Sequence, residues 1–402
     1  MADNQFTRRE FVRTGAAAAA GGLLSTRIVY AQNPTKQKTD DILNYNEQME
    51  YRRGGKTNLM FSAVCLGGHW KRVNEVVPGL FKGRGWLSAK LDSKEFEKNR
   101  YDVVTQCIER GINYIDACTV QECIMYSKAL QGRRDKMYLG FSWYQKEMRS
   151  LSGQMNKAKK AGKPMKPGWL TQKLKDALNE GMKETKNEYV DVWRITCYEK
   201  SSMHTDHQME EMCEALAWAK KTGKARFVGI SSHDRPHIKK WIQSNPKEFE
   251  VIVTPYSAKT KLTGAKIESA GEGRSGNVVA LGDGSWETSL WAAIVKCDLA
   301  WFGIKPFASG SIFKGNSSPK SPTKEEDDKL ARLTIRAILT NPAITAPIPG
   351  MIDPQQVDNV AIAVGVRKKL DAKEQAMLDE ATDRGFANLP YHYRWLKDWE
   401  YV

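Results

Sequence analysis

Val190-Asp191-Val192-Trp193-Arg194-Ile195 opens a pattern that repeats: an amphipathic stretch at 209–221, then Arg226-Phe227-Val228-Gly229-Ile230, another amphipathic stretch at 235–243, and Val251-Ile252-Val253. Each apolar run is too short for a helix and nearly continuous, which is the mark of a strand buried on both faces. The stretches between them carry apolar residues at helical spacing. Two strand–helix–strand units in succession require parallel strands joined by crossovers. Outward from this segment the alternation continues. Apolar runs lie at 63–66, 113–116, 137–141, 301–304 and 344–348, with helical patterns at 96–110, 170–186, 286–295, 324–340 and 354–366. Eight alternations predict an α/β fold of the (β/α)8 TIM-barrel type. A doubly wound open sheet is the main rival, but no glycine fingerprint follows the first strand. Residues 49–53 and 59–61, around Gly54-Gly55-Lys56-Thr57-Asn58, read as an N-terminal β-hairpin.

The N-terminus carries a separate signal. Thr7-Arg8-Arg9-Glu10-Phe11-Val12-Arg13 precedes an alanine- and glycine-rich stretch at 15–24, and Val29-Tyr30-Ala31 gives a small-x-small cleavage site before Gln32. The apolar stretch falls short of the ~20 residues that a spanning helix needs. Charge, mild apolar run and cleavage site stand in the order of a twin-arginine export signal. The expected organisation is a signal peptide at 1–31, a polar linker at 32–48, and a barrel with a C-terminal tail at 49–402. A periplasmic or other extracytoplasmic location is implied, with the twin-arginine (Tat) export machinery as a partner. After cleavage no stretch is long and apolar enough to span a membrane.

The chain has 402 residues and a formal charge of +15, of which about +13 remains once the signal's four arginines and two acids are removed. One lysine cluster stands out, at Lys157, Lys159, Lys160, Lys163 and Lys166. No helix-turn-helix, zinc-finger or RNA-binding pattern accompanies the charge, so a nucleic-acid partner is not expected. The positive balance suits a basic exported protein, and it attracts anionic polysaccharide, lipid or substrate. The seven cysteines contain no CxxC, which argues against zinc ribbons and clustered iron–sulfur ligands. They read as small buried residues, with room for one bridge after export.

Barrel chemistry sits at the C-terminal ends of the strands. There the sequence places Gly67-Gly68-His69-Trp70, Asp116-Ala117-Cys118, Ser142-Trp143, Thr196-Cys197-Tyr198, Ser231-Ser232-His233, Tyr256-Ser257, Lys305-Pro306 and Pro349-Gly350. Two long segments on this face, 144–168 and 258–285, are lid candidates.

Met49-Glu50-Tyr51-Arg52-Arg53, Leu66-Gly67-Gly68, Gly111-Ile112-Asn113-Tyr114-Ile115-Asp116, Arg134-Asp135-Lys136, Tyr189-Val190-Asp191, Val228-Gly229-Ile230-Ser231, Lys305-Pro306 and Ile348-Pro349-Gly350, in this order, resemble the aldo/keto reductase superfamily over about residues 49–366. The resemblance implies an oxidoreductase that transfers hydride between a nicotinamide cofactor and a carbonyl. It implies a tyrosine acid, a lysine that lowers the tyrosine's pKa, an aspartate paired with the lysine, and a histidine that orients the carbonyl. The aspartate falls on Asp116. The tyrosine falls on Gln121, the lysine on Ser142 and the histidine on Thr196, so the tetrad is degenerate. With its lysine missing, Asp116 is expected either to be a neutral acid or to find Ser142, Gln121 or His69 as partners. Tyr198 and His69 are the candidate replacement catalytic residues, with His233 and Glu122 behind them.

Candidate cofactor contacts are Ser231, Ser232, Lys305, Gly350 and Gln356. The cofactor implied is NAD(P); the 350–356 segment holds no lysine or arginine for a 2′-phosphate, so NADP is disfavoured. No iron–sulfur cluster is expected. The implied partner is a small-molecule substrate, a sugar or an anionic compound. Two rival functions remain: a non-catalytic carbohydrate-binding barrel, to which Trp70, Trp86, Trp143 and the aromatic tail at 391–401 would contribute, and a metal-assisted lyase or hydrolase using Cys118, Cys123, Cys197 and His69.

Replacing Arg8 and Arg9 together by lysine is expected to leave the precursor in the cytoplasm, whereas the native chain is recovered outside it with Gln32 as its first residue. Cell fractionation with N-terminal mass spectrometry reads both; export of the lysine variant at the native level would remove the twin-arginine reading.

Overall fold

The computed structural model describes residues 39–83, 85–198, 200–268, 277–281, 284–366 and 369–402. The export signal, its cleavage site and the first part of the expected linker lie outside the described residues. A hairpin comes first, β1 (Tyr51–Arg53) against β2 (Met60–Ser62). Eight parallel strands come after it: β3 (Leu66–Gly67), β4 (Tyr114–Ala117), β5 (Tyr138–Phe141), β6 (Val190–Thr196), β7 (Ala225–Ser231), β8 (Val251–Pro255), β11 (Ala300–Ile304) and β12 (Ala346–Pro347). Between β8 and β11 lies a small antiparallel pair, β9 (Ala265–Glu268) and β10 (Asn277–Ala280). The large sheet closes on itself, because Cys65 N–H donates to Pro347 O at 3.1 Å and Gly67 N–H to Pro349 O at 2.8 Å. The fold is therefore the expected (β/α)8 barrel.

The helices alternate with the strands: α1 (Lys94–Glu109), α2 (Val120–Ala129), α3 (Met148–Lys160), α4 (Trp169–Thr185), α5 (Asp206–Lys221), α6 (Arg235–Ser244), α7 (Leu290–Lys296), α8 (Lys324–Ile338), α9 (Pro354–Gly365) and α10 (Ala372–Ala387). Most of these match the amphipathic stretches to within a few residues. Helix α2 carries only a weak pattern, since Glu122, Cys123, Met125, Tyr126, Ser127 and Ala129 are all buried and the outward stripe is narrow, Gln121, Ile124 and Lys128. The first lid candidate, 144–168, is mostly α3. It is docked through buried Met148 and Leu151, and Ser152 bonds His204 Nδ1 at 2.9 Å. The lysine cluster occupies the exposed C-terminal turn of α3 and the segment after it. Of the second lid candidate, 269–276 and 282–283 lie outside the described residues.

The described part of the expected linker packs on the barrel. Asn44 Nδ2 donates to Ile108 O at 2.7 Å, and Asn113 Nδ2 to Leu43 O at 3.0 Å, so residues 39–48 are fastened to the barrel floor. All seven cysteines are free thiols. No described helix is long and apolar enough to cross a membrane.

Inside the barrel the side chains stack in layers. Phe61 of the hairpin plugs the floor and meets the rings of Tyr114, Tyr138 and Phe302 edge-on at 5.3, 5.5 and 5.1 Å. Tyr114 lies flat against Phe302 at 4.6 Å, spanning the barrel from β4 to β11. Position 140 must be glycine, because a Cβ there would lie 2.1 Å from the Tyr114 hydroxyl. Phe61→Ala removes the plug and opens a cavity beneath three rings. It is expected to cost about 3–5 kcal/mol in urea unfolding; a loss below about 1 kcal/mol would show that the floor collapses to fill the space.

Candidate active site

Above the aromatic layer the barrel axis carries two charges. Arg194 Nε donates to Asp116 Oδ1 at 2.7 Å and Arg194 Nη2 to Oδ2 at 2.6 Å, a bidentate pair with side-chain exposures of 1% and 4%. Alternation along β6 puts Arg194 on the inner face with Val192 and Thr196. This corrects the sequence expectation. Asp116 is not paired with Ser142, Gln121 or His69; it is held by an arginine from β6, the next strand but one. Burial disfavours the Arg194 charge, but Asp116 outweighs it and raises the guanidinium pKa further.

The guanidinium also reaches the cavity. Arg194 Nη1 donates to Thr196 Oγ1 at 2.7 Å and lies 3.6 Å from Cys118 Sγ. Ser142 stands 3.2 Å from Thr196 and donates to buried Glu147 Oε2 at 2.6 Å. Gln121 is turned aside, its Oε1 accepting from Gln145 Nε2 at 2.6 Å.

A second constellation faces the same cavity. His69 Nδ1 lies 2.9 Å from Glu122 Oε1, which also accepts the His69 backbone N–H at 2.6 Å; Glu122 Oε2 accepts the Cys118 N–H at 2.6 Å. Thr119 caps α2 and sets Glu122 in its first turn, where the helix dipole favours a carboxylate. Burial raises the Glu122 pKa, but His69 and the two backbone donors outweigh it and the carboxyl is held below its usual range. Burial, aided by the Lys305 and Lys71 ammonium groups, lowers His69 below 6.5 despite Glu122. An ionised Glu122 facing a neutral His69 places the ring proton on Nδ1, leaving the Nε2 lone pair free. His69 adopts a left-handed φ of 57°, and its ring lies 4.7 Å from that of Trp86. Gly68 cannot be replaced, because a Cβ there would lie 2.1 Å from the Glu122 carboxyl carbon.

The cavity at the top of the barrel measures about 440 Å³. Asp116, Tyr198, His69, Ser231, Ser232, Lys305, Gly350 and Gln356 all line it, together with Lys71, Arg72, Arg194 and Thr196. They are not all poised for chemistry. The Tyr198 hydroxyl donates to Arg149 O at 3.0 Å, and its ring stacks on His204 at 4.4 Å, so it is engaged with α3 rather than with Asp116. Gln356 is pinned, accepting from Ile352 N–H at 3.0 Å. Ser231 and Ser232 are buried at the end of β7. The next residue, His233, stacks on Trp395 at 3.9 Å and leaves its buried Nδ1 without a partner. Trp70 and Trp143 are core side chains, each 1% exposed, and only Trp86 of the three tryptophans lines the cavity. Cys123 and Cys197 are buried, and no group of three metal-ligating side chains converges among the described residues.

Sequence reasoning missed Arg194 and Lys71, and it weighed Glu122 as an acid rather than as the group that orients His69. The available signal for Arg194 was parity: a cation two residues before Thr196 in an apolar strand must share its inward face.

His204 fixes the Tyr198 backbone, because its Nε2 accepts the Tyr198 N–H at 3.1 Å. Burial, with His237 nearby, lowers its pKa from 6.5 to about 4. The unfolded chain then takes up the proton first as pH falls. The stabilisation, at most about 3 kcal/mol, is full above pH 6.5 and is lost as pH falls towards 4. Urea unfolding of the native chain and His204→Asn is expected to differ most at pH 7 and to converge by pH 4; a gap that does not change with pH would contradict this.

Residues 85–261 match the aldo/keto reductase family. No curated protein matches the chain. Among solved structures it is similar to the holo form of an aldo-keto reductase from Bacillus halodurans, with 18% identity, a TM-score of 0.51, and coverage of 83% of this chain and 96% of that one. It is also similar to an aldo-keto reductase from Klebsiella pneumoniae in complex with NADPH, with 14% identity, a TM-score of 0.51, and coverage of 83% and 94%. The chain thus carries an aldo/keto reductase family match over residues 85–261 on a barrel of the aldo-keto reductase fold.

Proposed function

We propose that the protein is an exported oxidoreductase of the aldo/keto reductase type that moves hydride between NAD and a small hydroxylated or carbonyl compound. His69, oriented by Glu122, is its acid–base group. The observation that carries this reading is the His69–Glu122 pair at 2.9 Å, opening into the same cavity as Arg194 and Thr196.

The cavity residues fit the nucleotide. Ser231, Ser232 and the orphaned His233 Nδ1 offer polar contacts for a carboxamide, and Lys305 offers charge for a pyrophosphate. A smaller space of about 70 Å³ shares Phe307, Phe313, Ser317, Gly350 and Gln356 with the main cavity, and Asp327, Asp328 and Asp353 border it. Lys324 borders it as well, paired with Asp328, so three carboxylates stand against one cation there, a balance that disfavours a 2′-phosphate and favours NAD over NADP. When bound, the cofactor supplies the hydride acceptor or donor.

The chain's own residues handle the proton and the oxygen. Neutral His69 takes the proton of an alcohol through Nε2, and Glu122 stabilises the imidazolium that results. Thr196 Oγ1 accepts from Arg194 and, because Ser142 spends its hydrogen on Glu147, donates to Ser142 Oγ; a substrate oxygen competes with Ser142 for that hydrogen. The Arg194 charge then stabilises the developing alkoxide. A neutral resting histidine suits the oxidation direction. Export rests on the Arg8-Arg9 pair, the mild apolar run at 15–24 and the cleavage site before Gln32, and an extracytoplasmic site of action goes with it.

A carbohydrate-binding barrel is the second reading, favoured by Trp86, Tyr144, Tyr393 and Trp395 around the cavity.

Mass spectrometry of the natively exported protein is expected to release NAD. His69→Asn, which tolerates the left-handed backbone, is expected to keep NAD affinity within about threefold while cutting NADH formation on a panel of polyols and sugars by about 100-fold or more. A nucleotide-free protein without NAD affinity would falsify the oxidoreductase reading and leave the binding barrel.

A further inference from the structure

Four cations line the main cavity, Lys71, Arg72, Arg194 and Lys305, against one lining carboxylate, Asp116. Asp116 is engaged by Arg194. Arg72 is tied to the loop after β11, donating to Gly315 O and Ser317 Oγ at 2.9 Å each. Lys71 is different. It makes no ion pair among the described residues; its Nζ reaches Ser309 Oγ at 3.4 Å and sits 4.2 Å over the ring of Tyr393. Lys305 Nζ lies over the same ring at 5.9 Å. Both ammonium groups thus border the Tyr393 ring, in a cleft whose lining holds more cations than carboxylates. A lysine without an ion pair in such a cleft is completed by an anion.

We propose that the substrate of this cleft bears a carboxylate, held by Lys71, and is a sugar acid or a related hydroxy acid. The inference rests on the reading of the cleft as a small-molecule oxidoreductase site. Sequence position assigns the anion to the substrate rather than to a nucleotide pyrophosphate. Lys71 is two residues from His69 in the loop after β3, so an anion on Lys71 belongs to the molecule whose proton His69 takes. Tyr393 below and Trp86 beside His69 provide flat apolar faces for a sugar frame.

Proton linkage supplies a readout independent of activity. Burial, with Lys305 beside it, lowers Lys71 from 10.5 to about 7, against the pull of Glu122. The groups that face it are Lys305 from β11, Glu122 from α2, Tyr393 from the tail, and His69 on its own loop. An anion raises the ammonium pKa, so binding at pH 8 takes up a proton.

Isothermal titration of the mature protein, with and without NAD, compares D-glucuronate with D-glucose, which differ by a carboxylate in place of a hydroxymethyl group. Measured at pH 8 in two buffers of different ionisation heat, glucuronate is expected to bind at least about tenfold more tightly, with uptake of up to one proton. Lys71→Met should abolish both the preference and the uptake while NAD affinity changes less than threefold. Lys71→Arg should restore the preference without the uptake, because arginine stays protonated. Equal binding of the two sugars, binding of neither, or an unchanged preference in Lys71→Met would overturn the proposal. A loss of NAD affinity in Lys71→Met as large as the loss for glucuronate would also overturn it, by assigning Lys71 to the pyrophosphate. A protein that prefers glucuronate but binds no NAD would keep this inference and remove the oxidoreductase reading.

Discussion

Asp116 and Arg194 reach each other over the strand that lies between theirs, removed from water and joined by two short hydrogen bonds. Each ion alone would cost several kcal/mol to bury, and neither can lose its partner cheaply. Much of the interior is arranged around this pair. Gly140 leaves room beside it, the Tyr114 hydroxyl approaches Asp116 Oδ1 at 3.4 Å, and the spare Arg194 nitrogen fixes the Thr196 hydroxyl at the cavity floor. The cation that the aldo/keto reductase resemblance places at 142 is thus supplied from two strands' distance, and Ser142 is released to bond Glu147.

Around that pair the cleft divides into regions of different chemistry. His69 and Glu122 form a proton-handling wall, held by a helix cap and by a glycine that no other residue can replace. The wall bearing Lys305 and Lys71 is positive, and the C-terminal segment Tyr391–Trp399 lays Tyr393 and Trp395 over it. Neutral histidine and excess positive charge are compatible: burial is the main force that keeps His69 from protonating, and the Lys305 and Lys71 ammonium groups add to it.

The barrel was legible because its strands are short apolar runs and its helices are amphipathic; both signals are local. Helix α2 was not, since polar Glu122 and Ser127 are buried while apolar Ile124 lies on its narrow outward stripe, which blurs the periodicity. The aspect of the site carried by single positions was legible too: His69 and Asp116 stand at strand ends where barrel chemistry collects. What stayed hidden was pairing. Nothing local joins Asp116 to Arg194 across 78 positions, or Glu122 to His69 across 53, and a missing lysine at 142 gives no hint that the charge has moved to another strand. Tyr198 shows the converse: its strand-end position suggested chemistry, and its hydroxyl bonds a carbonyl of α3 instead.

The central claim is that Arg194 has taken over the charge that the resemblance assigns to position 142. Unfolding free energies of Arg194→Met, and of Arg194→Met combined with Ser142→Lys, test it most directly. The account predicts that Arg194→Met alone costs about 3–5 kcal/mol, because Asp116 is left buried without a counter-ion, and that the added lysine recovers at least half of that loss. A double variant no more stable than Arg194→Met would contradict it.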